Sequence, residues 1–240
     1  MSLNREELTE VYDFVEIGTA DFETLIQACP EESRGLSIEP LSVYLDRLPN
    51  KKNVTKVNAA IVTDEEVDEV EIYHVTEDVI RIMGFGTWLK GCNSVGKPHD
   101  FHLNYYPDPR AWHEGNHFPW NPVNLLEKGY VNVDKVPALT FKKLVEKFKI
   151  KHIKFLKTDT EGFDPSILNA MLDFYDDNSM LSNLPPTIYF EWNKHCKEEE
   201  LEQIKERLEK YGYEVGLKNA EDIHNRVAVL KTKDKENDNV

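Results

Sequence analysis

The segment YDFVEIGTAD, residues 12–21, combines a short apolar run with a glycine directly after it. Such a run is typical of a buried strand in a parallel sheet, and Gly18 allows the backbone to turn sharply where the strand ends. Asp21 then predicts the start of a helix over about residues 22–28. Strand, glycine turn and helix form the first unit of a doubly wound α/β sheet, in which ligands bind where strands end and helices begin.

The same alternation of strands and short helices continues along the chain. Further strands are predicted over residues 35–38, 53–61, 67–75, 152–157 and 187–192, and further helices over residues 41–48, 140–148, 165–173 and 198–210. Strands separated by helices imply right-handed crossovers and a parallel sheet. Residues 213–217 and 226–231 predict a closing antiparallel pair. The sequence therefore predicts an α/β fold.

The composition restricts the class of partner and the compartment. Asp and Glu number 44 against 29 Lys and Arg, so the net charge is −15, whereas a protein that follows a phosphate backbone needs a basic face. Nucleic acid is therefore not the expected partner. Cys29, Cys92 and Cys196 are odd in number and far apart, which predicts reduced thiols in a cytoplasmic protein. No apolar run approaches the roughly 20 residues of a membrane span, and no signal-peptide core is expected.

Residues 1–232 are expected to form a single domain, because no repeat and no linker divides them. Within this domain, residues 84–124 carry glycines, prolines and aromatic residues without a sustained period. A loop of this length in a compact domain is usually functional or disordered, and its aromatic content argues against disorder. The charged tail, residues 233–240, is expected to be mobile.

The long loop concentrates histidines and large aromatic side chains. Aromatic faces pack on sugar rings and imidazoles bond hydroxyl groups, so the loop is expected to bind a substrate. The candidate substrate-binding residues are His99, His102, Trp112, His113 and His117. Two other interpretations are open. Zinc is disfavoured by the interrupting prolines and the lack of a cysteine pattern, whereas an apolar cluster packed under the loop fits the composition equally well.

Two acids at strand ends indicate a nucleoside cofactor. Glu16 ends a buried strand, where an unpaired charge is costly and a ligand amine or backbone donors would relieve that cost. Glu39 follows the next strand about 20 positions after Gly18, where an acid can accept from both hydroxyls of a ribose. The turn GTADFE lacks the GxGxxG pattern, and Asp21 would repel a phosphate. S-adenosylmethionine, which has no phosphate, is therefore favoured over a nicotinamide dinucleotide.

Several segments resemble the FkbM-type methyltransferases: VEIGTADFETL, GLSIEP, VNAAI and ALTFKKLVEKFKIKHIKFLKTDTEGFDPSIL. The similarity covers about residues 10–195, and LKTDTEGFDPSIL is its most specific piece. The resemblance implies the class I methyltransferase fold, a Rossmann-like, doubly wound, mostly parallel seven-stranded sheet with an antiparallel C-terminal strand. It also implies an adenosylmethionine-dependent O-methyltransferase that acts on a small-molecule or glycan acceptor, with a sugar hydroxyl as the expected target.

The resemblance assigns roles to residues that match the motifs. The implied cofactor-binding residues are Glu16, Gly18, Thr19, Ala20, Asp21, Glu39, Asn58 and Ala59. Asp159 and Glu161 would lie beside the transferring methyl group or orient the acceptor. The family's first motif usually has more glycines, and Ala20 stands where glycine is common. This departure leaves a second hypothesis open, a methyltransferase fold that serves as a binding module without catalysis.

A sugar hydroxyl is a poor nucleophile and needs a general base or a metal to take its proton. His195, just past a predicted strand, has a suitable reference pKa near 6.5, although a surface histidine fits its loop equally well. Asp159 and Glu161 are the other catalytic candidates. Together with Glu191 they could hold Mg²⁺ through oxygen ligands, although helix capping and backbone hydrogen bonds explain such acids equally well.

Overall fold

The computed structural model describes residues 3–106, 122–192, 195–217, 219 and 222–231. The strands of this part of the chain are β1 (Glu10–Tyr12), β2 (Phe14–Ile17), β3 (Gly35–Ile38), β4 (Val54–Val57), β5 (Ala60–Val62), β6 (Glu69–His74), β7 (Ser94–Val95), β8 (Asn132–Thr140), β9 (Ile150–Ile153), β10 (Phe155–Thr158), β11 (Thr187–Glu191), β12 (Tyr213–Leu217) and β13 (Asn225–Leu230). The α-helices are α1 (Leu25–Ala28), α2 (Ser42–Leu45), α3 (Glu77–Met83), α4 (Asp100–Leu103), α5 (Phe141–Phe148), α6 (Asp164–Asp177) and α7 (Glu198–Lys210).

The main sheet has seven strands in the order β12-β13-β11-β10-β2-β3-β4. β2 pairs in parallel with both β10 and β3, while β4 and β11 extend the parallel ladder on either side. β13 runs antiparallel to β11 and to β12, so the sheet is mixed. The predicted α/β class and the predicted antiparallel closing pair are confirmed.

A second sheet, which the sequence does not predict, contains the strands β5-β8-β6-β7. Residues 53–61 were expected to form one strand, but β4 and β5 belong to different sheets. The chain leaves the first ladder at Asn58, whose side-chain amide donates to the carbonyl oxygens of Glu39 (3.1 Å) and Pro40 (2.7 Å). Residues 152–157 divide in the same way, because β9 pairs with β1 and β10 joins the main sheet.

The first helix begins later than the sequence predicts. Thr24, and not Asp21, caps α1, because its side chain accepts the backbone N–H of Gln27 while the Gln27 side chain accepts the backbone N–H of Thr24. Asp21 is engaged elsewhere: its carboxylate accepts from Lys90 at 2.7 Å and from Arg47 at 2.9 Å. The predicted helix over residues 22–28 is therefore wrong in its first turn.

Two of the four apolar clusters among the described residues lie next to the elements that form the site. The larger one joins the main sheet to the buried faces of α5, α6 and α7. The smaller one lies under the long loop and contains Val75, Ile80, Phe85, Leu89, Cys92, Tyr105, Leu125 and Val131. An apolar cluster under the loop was one of the two interpretations left open by its composition. Among the described residues, no helix combines the length and the apolar character that crossing a bilayer requires.

A buried ion pair joins the two central strands. Lys157 on β10 donates to Glu16 on β2 at 2.9 Å and to the carbonyl oxygen of Glu23 at 3.1 Å. The second carboxylate oxygen of Glu16 accepts the backbone N–H of Leu25 at 2.9 Å. Burial raises the pKa of Glu16, and the charge of Lys157 opposes that rise. The pair therefore ties β2, β10 and the start of α1 together.

Replacing Lys157 with methionine leaves the Glu16 carboxylate buried without its counter-charge. We expect Lys157→Met to lower the free energy of unfolding by about 3–5 kcal/mol, measured by urea denaturation. The double variant Glu16→Leu/Lys157→Met removes both charges at similar volume and should recover most of that loss. A single variant as stable as the wild type would contradict the proposed importance of the pair.

Candidate functional site

A cavity of about 410 Å³ opens at the carboxyl ends of β2, β3 and β10. Its volume lies within the range of roughly 300–1,000 Å³ that is usual for small-molecule sites. The chain proceeds from β2 to β3 and β4 on one side of the sheet, whereas β10 lies on the other side of β2. The cavity therefore occupies the topological switch point, where ligands bind in open α/β sheets.

The turn after β2 forms one wall of the cavity and requires glycine at position 18. Gly18 has a φ of 80°, and a Cβ atom there would lie 1.9 Å from the carbonyl oxygen of Asp159. The backbone N–H of Asp159 also donates to the carbonyl oxygen of Ile17 at 2.9 Å. The turns that follow β2 and β10 are thus in direct contact.

Glu39 fixes the first turn from the side of β3. One of its carboxylate oxygens accepts the backbone N–H groups of Thr19 (3.2 Å) and Ala20 (2.8 Å), and the other accepts the N–H of Leu41 (3.0 Å). Burial raises the pKa of Glu39, and these three donors oppose the rise. An ionised carboxylate offers about four acceptor positions. Glu39 therefore holds the turn and keeps acceptor capacity toward the cavity that it lines.

Ala20 occupies a conformation that suits glycine. Its φ is 43°, in the left-handed region that an L-residue with a Cβ atom adopts at a cost of about 1–2 kcal/mol. The hydrogen bond from its backbone N–H to Glu39 holds it there. The turn thus has the conformation that a glycine would favour, although the sequence has alanine.

The turn after β10 carries a cluster of carboxylates. Asp159, Glu161 and Glu191 each offer an oxygen, and these oxygens lie within 4.8 Å of one another. Asp159 lines the cavity. Burial of its carboxyl group and the charge of the nearby Asp164 raise its pKa to about 7. Burial and the neighbouring Glu161 also raise the pKa of Glu191. The cluster therefore has a strong affinity for positive charge or protons.

Asp164, which is fully buried, organises this turn. It accepts hydrogen bonds from the hydroxyls of Thr158 (2.6 Å) and Thr160 (2.5 Å), from the backbone N–H of Thr160 (2.9 Å) and from that of Glu191 (3.2 Å). The backbone of Glu161, within this turn, has a φ of 52°, which lies in the left-handed region. The carboxylates are consequently held by a strained turn that buried hydrogen bonds stabilise.

A second set of potential metal ligands consists of Cys92, His99 and Glu161. The Nδ1 atom of His99 accepts the backbone N–H of Phe101 at 3.1 Å, so the neutral ring carries its proton on Nε2. A ring in that state has no lone pair left for a metal. The chemistry of this set therefore does not fit zinc, and the carboxylates remain the better donor set for a hard cation.

The structure brings together about half of the residues that the sequence singled out. The predicted residues that line the cavity are Gly18, Thr19, Ala20, Glu39, Ala59, Asp159 and Glu161. The described candidates that do not line it are Glu16, Asp21, Asn58, His99, His102, Glu191 and His195. Trp112, His113 and His117 lie outside the described residues, so their role in substrate binding stays a prediction.

Other lining residues were missed because they come from distant parts of the chain. They include Phe22, Gly91, Asn93, Phe163, Tyr189 and Asn225. Glu191 at the end of β11 is a candidate metal ligand from the sequence, but nothing local marks Tyr189 on β11 or Asn225 on β13 as part of a site that begins at β2. Only the order of the strands, which places β11 beside β10, brings these side chains to the cavity.

The cavity at the switch point, with its acid after β3 and its carboxylate turn after β10, gives this α/β protein a site of small-molecule size between its central strands. A family model described as the methyltransferase FkbM domain matches residues 14–215, from β2 into β12. The chain belongs to the FkbM methyltransferase family, which confirms the resemblance of its motifs. A comparison with curated proteins finds no match.

Replacing Ala20 with glycine should relieve the strain of the left-handed backbone. We expect Ala20→Gly to raise the free energy of unfolding by about 1 kcal/mol, measured by urea denaturation. The matched control is Ala28→Gly in α1, which should lower it by about 0.5–1 kcal/mol because glycine disfavours a helix. A loss of stability in both variants would show that Ala20 does not strain the turn.

The raised pKa of Asp159 predicts a pH dependence of stability. Because the folded state holds this proton more tightly than the unfolded chain, the stability that it contributes is fully present below about pH 4 and is lost as the pH rises through 7. Asp159→Asn should therefore be more stable than the wild type at pH 8 by a larger margin than at pH 5. The exposed control Asp177→Asn should show no such difference, and equal margins for Asp159→Asn would refute the prediction.

Proposed function

We propose that the protein is an S-adenosylmethionine-dependent methyltransferase that methylates a hydroxyl group of a sugar or glycan. The observation that carries this proposal is the cavity at the switch point, which Glu39 borders on one side and Asp159 and Glu161 border on the other. The seven-stranded sheet with its reversed strand β13 supports a class I, Rossmann-like fold. Three free cysteines support a reducing, cytoplasmic compartment.

The donor groups of the cavity fit adenosylmethionine better than a dinucleotide. A pyrophosphate needs free backbone N–H groups at the glycine turn. In this turn the N–H groups of Thr19 and Ala20 already donate to Glu39. Adenosylmethionine has no phosphate, and its sulfonium and amine are positive. Asp159 and Glu161 in the lining supply the negative charge that such a ligand needs.

The residues of the cavity divide into those that hold the cofactor and those that serve the acceptor. Glu39 would accept from the ribose, and Ala59 and Ile61 would pack against the adenine. Gly18 would let the methionine end pass close to the backbone, with Asp159 facing its positive charge. When bound, the cofactor supplies an electrophilic methyl group. Mg²⁺ held by the carboxylates is compatible with this arrangement but not needed for it.

Polar groups in the lining support a hydroxyl-bearing acceptor. Asn93, Tyr189 and Asn225 can exchange hydrogen bonds with hydroxyl groups, and the ring of Phe22 offers a flat surface. Glu161 can take the proton of the reacting hydroxyl. Ala20 has the positive φ that a glycine would adopt at this position, so the alanine does not alter the shape of the turn. An unaltered turn supports cofactor binding and favours an active enzyme over a binding module without catalysis.

Binding of the cofactor product S-adenosylhomocysteine provides the direct test. Isothermal titration calorimetry should detect binding to the wild type, and Glu39→Ala should weaken it by roughly 100-fold, because hydrogen bonds to a charged group contribute about 1.5–3 kcal/mol each. Glu65→Ala, a change at an exposed acid, is the matched control. Since Glu39 also holds the first turn, thermal unfolding must show that Glu39→Ala remains folded.

Two results would overturn the proposal. One is a wild-type protein that binds neither adenosylmethionine nor its product at millimolar concentration. The other is tight binding of a nicotinamide dinucleotide, which would indicate a dehydrogenase despite the missing glycine pattern.

A further inference from the structure

His99 lies outside the cavity but reaches one of its walls. Its side chain is 3% exposed, and its ring packs against those of Phe101 and His195, with centroid separations of 5.2 and 4.3 Å. The ring is also the N-cap of α4, because Nδ1 accepts the backbone N–H of Phe101. Both the packing and the cap fix the orientation of the imidazole.

This cap determines where the proton of His99 lies. A neutral imidazole that accepts through Nδ1 carries its hydrogen on Nε2. The Nε2 atom lies 3.5 Å from Oε2 of Glu161 and forms no hydrogen bond in the described part of the chain. Contacts between catalytic groups are often this long without ligand and tighten to a hydrogen bond only in the ligand complex.

The other oxygen of Glu161 lies on the cavity side. A Cβ atom added at Gly91 would lie 3.9 Å from Oε1, and Gly91 lines the cavity together with Glu161. Because glycine has no side chain, nothing from position 91 covers this oxygen. Oε2 of Glu161 therefore lies beside the imidazole of His99, whereas Oε1 lies beside a glycine of the cavity lining.

We propose that His99 is a positioning residue, whose Nε2–H group holds Oε2 of Glu161 so that Oε1 is presented to the hydroxyl group of the methyl acceptor. This role rests on the proposed methyltransferase function. In the step that it serves, the hydroxyl proton passes to Oε1 of Glu161. The hydroxyl oxygen forms the bond to the methyl carbon, and the electron pair of the broken carbon–sulfur bond remains on sulfur. His99 itself exchanges no proton.

Two substitutions separate the cap from the contact with Glu161. In His99→Asn, Oδ1 takes the place of Nδ1 and asparagine is a good N-cap, so the cap is kept while the donor to Glu161 is lost. In His99→Gln, Nε2 is as many bonds from Cα as in histidine, so the donor is kept while the cap is lost. If His99 served only as the N-cap of α4, His99→Gln would be the more damaging change in every measurement.

The probe is sinefungin, an adenosylmethionine analogue with an amine-bearing carbon in place of the methylated sulfonium. Its affinity relative to S-adenosylhomocysteine reports whether a carboxylate is held at the methyl-transfer position, and no acceptor is needed. We expect the wild type to prefer sinefungin and Glu161→Gln to lose that preference. His99→Asn should reduce the preference by roughly 10-fold, as expected for a lost hydrogen bond to a charged group, while its melting temperature falls only through the lost ring packing. His99→Gln should keep the preference and melt at a lower temperature.

The outcomes distinguish this role from the function on which it rests. If the wild type binds S-adenosylhomocysteine but His99→Asn keeps the full sinefungin preference, the positioning role is wrong and the methyltransferase proposal stands. The positioning role is also wrong if His99→Gln loses the preference as completely as His99→Asn. If the wild type binds neither ligand, the methyltransferase proposal fails, and the role of His99 fails with it.

Discussion

The ion pair between Glu16 and Lys157 is the contact on which the cavity depends. It joins β2 to β10, the adjacent strands whose carboxyl ends carry the two turns of the site. Lys157 also holds the carbonyl oxygen of Glu23, and Glu16 also holds the N–H of Leu25. A buried pair of this kind adds little net stability over apolar residues, because desolvation opposes the attraction. Its contribution here is geometric, since it fixes the chain on both sides of the first turn.

With the central strands fixed, the site can hold backbone conformations that would otherwise be unfavourable. Ala20, Glu23 and Glu161 all have positive φ values, and all three line the cavity. Such residues persist only where the surrounding structure determines them. The buried acids Glu39 and Asp164 do this by accepting the backbone N–H groups of the two turns. The turns are therefore organised before any ligand arrives, which lowers the cost of binding.

The sequence predicts those parts of this arrangement that depend on local signals. The runs that become β2 and β3 are apolar and end at a glycine or an acid, and Glu39 was identified from its spacing to Gly18. Local signals do not show that the chain changes sheets at Asn58, because β-forming apolar residues continue on both sides of that point. Nor do they show that Lys157 already supplies the counter-charge of Glu16, since a contact between residues so distant in sequence appears only when β2 and β10 pair.

The long loop contacts the two turns of the site through two different kinds of interaction, one between charged, partly exposed side chains and the other made by a neutral, buried ring. Lys90, near its start, donates to Asp21 after the first turn, and Glu77 extends this contact to Arg47. Farther along, the neutral ring of His99 meets Glu161 in the second turn. The first contact is an ion pair that salt screens, whereas the second is buried and screened little. Gly91 and Asn93 of this loop also line the cavity, so the segment that contacts Glu161 contributes directly to the wall of the site.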